Sequence, residues 1–328
     1  MLAATLNAAC GCAVAAADAP SPSASAVADP GDGRSTLQTL THRFETLTTA
    51  HGWQTDTVYR YADEPDLRIR AWRSPREGEA LWVIAGIHGE EPAGALAIAG
   101  RLASLVELAG SGVPVVLLPL CNPKGYRNHW RYPNTAERDW RKGGYSVGDA
   151  ESLLPDLETG TGPRASAAPG PETAALTGYV LQLAATYPPR LVLDLHEDVL
   201  STEGGYVYWQ GQRADGAAVV AEVIRLLRAS GFPFRDDGRT RFGEPIVDGV
   251  VSRVGRGQPI RDGSIDELLA SPTVFVAGTR ATGPDAPTVI VVETPAFAGS
   301  QLGRRVAAHG AVLERVRELW RLSPPRMP

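Results

Sequence analysis

Cysteine is scarce in this chain. Cys10, Cys12 and Cys121 are the only three in 328 residues, and the first two sit where there is little to bury, so no disulfide framework holds the fold together. Excess positive charge is missing too: a formal net charge of -5 supplies no field for a phosphate backbone and argues against nucleic acid as a partner. No apolar run reaches transmembrane length, which argues against transmembrane insertion. Residues 1–33 contain no Lys, Arg or His, so the start of the chain lacks the basic end of a secretory signal, although Ala15-Ala16-Ala17 would serve as a cleavage site. A poor signal and a disordered extension both fit, which leaves the compartment open between cytoplasmic and periplasmic or secreted. Several catalytic signatures are also absent: no G-x-S-x-G elbow, no Walker sequence, and no dinucleotide fingerprint in Gly86 to Gly89.

What is present is ordinary globular material, 43% apolar, enough for one large α/β unit. The stretch PSPSASAVADPGDG reads as a flexible lead-in, so residues 1–34 are set apart from a single folded domain, 35–328. Apolar residues 37, 40, 44 and 47 have helical spacing. TVYRYA and LRIRAW alternate in period two and predict paired strands. LWVIAG predicts a central strand, AGALAIAGRLASLVEL a helix behind Pro92, and VPVVLLPL a parallel strand reached by that crossover. Further along come a helix from Pro171, the strand RLVLDLHED, the helix AAVVAEVIRLLRAS, the strand PTVIVVETPA and a closing helix from about Gln301 to Trp320. Residues 121–171 are rich in Arg, Asn, Trp, Pro and Gly, too polar for core.

Three of these strands end on chemistry. LWVIAGIHGEE ends on His88 and Glu91, LVLDLHED on His196, and VIVVET on Glu293. In an α/β sheet such residues gather at the carboxyl edge. Two histidines and a carboxylate, leaving one position for water, make the usual catalytic zinc site, and His88, Glu91 and His196 supply it. A His and a Glu three apart at the start of a helical turn can converge on one ion, which favours Glu91 over Glu90. Glu293 is then free to act as a base, and Asp194 to orient His196. Each residue also has a plainer reading: His88 as a satisfied loop residue, His196 in a solvated rim with Asp194, Glu197 and Asp198, and Glu293 as a buried carboxylate paired with an arginine. Cys121 could be a nucleophile but is more simply a small buried hydrophobe.

The pieces GIHGEEPA, LPLCNPKGYRNHWRYPN, ERDW, GPETAAL, LDLHED and VVETPA run in one order over nearly the whole chain beyond the lead-in, and together they resemble the zinc carboxypeptidase (M14 metallopeptidase) superfamily. The resemblance implies a single α/β domain with a mixed, mostly parallel eight-stranded sheet, one zinc per chain, and hydrolysis of a peptide amide, carboxypeptidase-type or on a small or cell-wall-derived peptide. It implies ligands at His88, Glu91 and His196 and a general base at Glu293. It implies an arginine that polarises the scissile carbonyl, best matched by Arg131 with Arg127 as second candidate, and Arg138 as a grip on a substrate carboxylate. Asn134 and Tyr206 complete the candidate substrate contacts. Two departures stand out: Glu137 occupies the place of an expected asparagine, and there is no tyrosine after Tyr208. The competing functions are an N-acyl amino acid deacylase of the aspartoacylase and succinylglutamate desuccinylase type, and a noncatalytic peptide- or glycan-binding module. Oligomeric state is left open.

Overall fold

The computed structural model describes residues 33–199, 201, 203–211, 216–252, 260–296 and 301–326, so most of the lead-in lies outside the described residues. In chain order the elements are α1 (Leu37–Ala50), β1 (Gln54–Arg60), β2 (Arg68–Arg73), β3 (Ala80–Ala85), α2 (Pro92–Gly100), α3 (Leu102–Gly110), β4 (Val115–Leu118), α4 (Pro123–Asn128), α5 (Pro171–Ala184), β5 (Pro189–Asp198), β6 (Tyr206–Gln210) and α6 (Ala217–Ala229). They continue with the short strands β7 (Gly238–Arg239), β8 (Pro245–Ile246) and β9 (Val250–Val251), then α7 (Ile265–Ala270), β10 (Thr273–Val276), β11 (Thr279–Thr282), β12 (Thr288–Pro295), α8 (Leu302–Glu314) and α9 (Val316–Leu322).

Eight strands form one mixed sheet in the order β1-β2-β4-β3-β5-β12-β6-β9. The apolar runs β4, β3, β5 and β12 are its parallel centre, and β1 pairs antiparallel with β2 as the alternating pattern predicts. Because side chains alternate across a strand, each central strand feeds two core layers. Leu81, Val83, Leu193, Leu195, Ile290 and Val292 face α1, α2, α3, α6, α8 and α9. Trp82, Ile84, Val192 and Val289 face α5 and α7. From β3 the chain moves outward to β4 on one side and later returns to β5 on the other, so the crevice where ligands bind in such sheets opens at the carboxyl ends of β3 and β5.

Two predicted helices are broken. The helix behind Pro92 splits at Arg101 into α2 and α3, bent by 55°. Gly100 is a poor helix former, and Arg101 takes φ -117 and ψ 17, which turns α3 toward α9. The closing helix splits at Arg315 (φ -107), which lets α8 and α9 both pack on α6. Among the described residues no single helix is long and apolar enough to cross a membrane.

Candidate active site

The first strand end is built by glycine. Gly86 (φ +67) turns the chain out of β3, and a Cβ there would lie 2.8 Å from Leu120. Gly89 touches α4 so closely that a Cβ would fall 2.1 Å from the carbonyl carbon of Gly125. The Glu91 amide bonds to the His88 carbonyl at 3.2 Å, which closes the turn and folds the two side chains together. Pro92 then starts α2, where its missing N–H costs nothing. Arg34 braces this turn from behind, donating to the carbonyls of Gly89 (3.3 Å) and Tyr126 (2.8 Å).

The second and third ends lie side by side. In the parallel register of β5 and β12, Glu293 pairs with His196, and β6 places Tyr206 on the other flank of Glu293. His196 shares a strand face with Asp194, while Glu197 points to the opposite face.

Glu91 is the centre of the cluster. Its carboxylate meets His88 Nδ1 at 2.8 Å and His196 Nδ1 at 3.0 Å, and accepts from the Glu197 amide at 3.1 Å and from Arg131 Nη1 at 2.9 Å. The other ring nitrogens have partners behind: Ser146 Oγ lies 3.0 Å from His88 Nε2, and Asp194 Oδ1 lies 3.3 Å from His196 Nε2. With hydrogens on both Nε2 atoms, both Nδ1 lone pairs face the same space as the Glu91 oxygens. The ligand atoms of His88, Glu91 and His196 lie within 4.8 Å of one another.

This donor set fits a divalent cation. Burial, helped by the charge of Arg131, pushes His88 down to about 4, so it is a neutral donor at physiological pH. Burial would lower His196 as well, but the Asp194 and Glu91 carboxylates outweigh it and hold the imidazole protonated. Burial would raise Glu91, and the two histidines outweigh that and keep it ionised. A proton on an imidazole between two buried carboxylates occupies the place of a cation, which a metal would take with a fuller coordination shell. Asp194 reinforces the point: it is fully buried, and its oxygens have no aligned hydrogen-bond donor.

Burial, together with the nearby Glu91 and Asp198 charges and against the pull of His196, raises Glu293 to about 8. That is the range of a proton-transfer group. Tyr206 donates to Asp198 at 2.9 Å, and its hydroxyl is held protonated by burial and the adjacent Glu293.

The arginines of residues 122–141 separate. Arg131, with 15% of its side chain exposed, reaches the Glu91 carboxylate. Arg138 is half-exposed and lies 2.8 Å from Glu90. Arg127 is exposed at the end of α4 and pairs with Glu64, which belongs to the loop between β1 and β2 and not to the cluster. Asn134 spends its amide on the Gly143 carbonyl at 2.7 Å, bracing the segment that carries Arg138. Glu137 pairs with Lys142 at 3.0 Å. Cys121 is buried, its thiol pushed up by burial and by Asp194, so it is no nucleophile. Sequence reasoning passed over Ser146 and weighed Glu90 only as a poorer ligand than Glu91. Ser146 is fixed by Asp149, which accepts from its amide at 2.9 Å, and only the Ser-x-x-Asp spacing could have drawn attention to it.

No protein-family model matches the chain, and no curated protein does. Solved structures do. A provisionally named metallopeptidase from Shewanella baltica OS155 superposes with a TM-score of 0.66 at 23% identity, covering 88% of this chain and 92% of its own. A second from Shewanella amazonensis SB2B gives 0.63 at 22%, covering 88% and 94%. The carboxypeptidase A of Helicoverpa armigera gives 0.58 at 11%, covering 89% and 74%. The chain has the metallo-carboxypeptidase fold. The mixed eight-stranded sheet expected from the sequence is the sheet of this fold. On the metallo-carboxypeptidase frame, the His88, Glu91 and His196 cluster lies at the carboxyl edge of β3 and β5, where a metal could be held.

Proposed function

We propose that this protein is a zinc-dependent peptidase that hydrolyses an amide bond in a peptide substrate. The observation that carries the reading is the convergence of His88, Glu91 and His196 on one point, with Glu293 beside His196 on the next strand. When bound there, one zinc per chain would polarise the substrate carbonyl and make water acidic enough to attack near neutral pH. Glu293 takes the proton of the attacking water and returns it to the leaving amine, which its raised pKa suits. Arg131, anchored on Glu91, directs its guanidinium charge at the carbonyl oxygen as negative charge develops, a contact of a kind worth about 3 kcal/mol in the transition state. Ser146 Oγ, beside His88 Nε2, holds that imidazole in one orientation and one tautomer, and the buried Asp194 charge faces His196 Nε2 at 3.3 Å. Tyr206 walls the far side of Glu293 and stays a neutral donor.

The test is to incubate the zinc-loaded protein with peptides, L,D-linked murein peptides and N-acyl amino acids, and to identify new amines by mass spectrometry. Release of an amino acid or peptide from a peptide substrate is expected, and it should vanish with zinc removal. Turnover of N-acyl amino acids alone would make the protein a deacylase, and no new amine from any substrate would end the hydrolase reading.

A further inference from the structure

Glu90 lies between two guanidiniums, those of Arg131 and Arg138. Its side chain is only 4% exposed, yet it belongs to an acidic pair whose other member, Glu91, is committed to the histidines. One Glu90 oxygen meets Arg131 Nη1 at 3.4 Å. The other lies 2.8 Å from Arg138 Nη2, an ion-pair contact outside hydrogen-bonding alignment. Glu137, the sequence neighbour of Arg138, is turned to Lys142 instead. The carboxylate that neutralises Arg138 is therefore Glu90, 48 positions away in the chain and held in place by the Gly89 and Gly125 contact.

A buried carboxylate has no water to solvate it and depends on its counter-charges. A substrate carboxylate brought to Arg138 would meet a guanidinium already balanced, with a like charge directly behind it. Such an internal anion discriminates by repulsion as well as by occupancy. A neutral group at the same place carries no such penalty.

We infer that Glu90 is a specificity-determining residue, resting on the peptidase reading above. It sets the site against a free carboxylate beside the scissile amide and in favour of peptides that are neutral there, as in an internal peptide bond or a terminal carboxamide. The experiment measures calorimetric binding of N-acetylalanylalanine and of its carboxamide to the zinc-loaded protein carrying Glu293→Gln, so that hydrolysis does not intervene. With Glu90 present the carboxamide should bind at least as tightly as the acid. Adding Glu90→Gln should shift the ratio at least tenfold toward the acid, Glu90→Asp should restore it, and Arg138→Ala added to Glu90→Gln should remove the gain. A tenfold preference for the acid with Glu90 in place, an unchanged ratio in Glu90→Gln, or no binding of the acid by Glu90→Gln would each overturn the inference. A shifted ratio in a protein whose parent cleaves no peptide would sink the peptidase reading and leave Glu90 as an anion filter; cleavage with an unshifted ratio would sink the role of Glu90 alone.

Discussion

His196 and Glu197 are consecutive residues of β5, and they serve opposite faces of the sheet. On one face His196 lies with Asp194, Glu91 and Glu293, and the ligand atoms of His196 and Glu91 converge there with that of His88. On the other, Glu197 is sealed beneath α2 and α8: it accepts from the Ala93 amide at 2.8 Å and pairs with Arg305, while the neighbouring Thr294 meets His309 at 3.1 Å. The two faces use the same residue types to different ends. The lower network ties the start of α2, and with it Glu91, to the strand that carries His196. The upper one leaves its donors turned to a single point. Polarity at a strand end does not by itself mark a site; the face it falls on decides.

Substitutions on the two faces should therefore separate activity from stability. The largest effect is expected on the upper face, where His196→Ala should abolish metal binding and turnover in a protein that still folds; stoichiometric metal at the same place, by elemental analysis, would refute the assignment. Glu293→Gln keeps the shape and removes the base, so it should retain metal while kcat falls by at least ~10²-fold. Loss of metal along with activity would instead make Glu293 a ligand. On the lower face Arg305→Met leaves the buried Glu197 without its counter-charge, and denaturant titration at pH 8 should show a loss of about 3 kcal/mol with metal stoichiometry intact. An unchanged stability would mean the pair contributes nothing net. The smallest effect sharpens the boundary: Asp194→Asn should weaken metal binding by about tenfold, with little change in stability, because it keeps the shape of the side chain facing His196 Nε2 and removes its charge. A competition titration with a chelator reads that difference.

These faces also mark how far the sequence could be read. The runs LWVIAG, RLVLDL and TVIVV declare central strands because both of their faces are buried, and the pairing of β1 and β2 follows from alternation. His88 and Glu91 are legible as a pair from spacing alone. Glu90 was not legible as anything but the discarded alternative, since its partners Arg131 and Arg138 come from a loop whose path no periodicity predicts. The sequence ranks Arg131 above Arg127 only by resemblance; in the structure the left-handed His129 (φ 57) stands at the end of α4, after which the chain turns, and Arg127 lies at the surface while Arg131 points inward. The break between α2 and α3 was hidden because alanine and leucine favour a helix on both sides of Gly100.

The contact of Gly89 with Gly125 has a consequence for how such a site can change over time. With the two backbones touching, the loop that supplies His88, Glu90 and Glu91 and the helix that leads to Arg131 form a single mechanical block: a side chain at Gly89 would strike Gly125 and Tyr126, and one at Gly125 would strike Asn122 and Trp130. Variation that preserves chemistry is thereby steered away from both segments and toward the stretch beyond Tyr132, where Asn134, Arg138 and Trp140 are exposed or half-exposed. Substitutions there leave the block intact, one surface residue at a time.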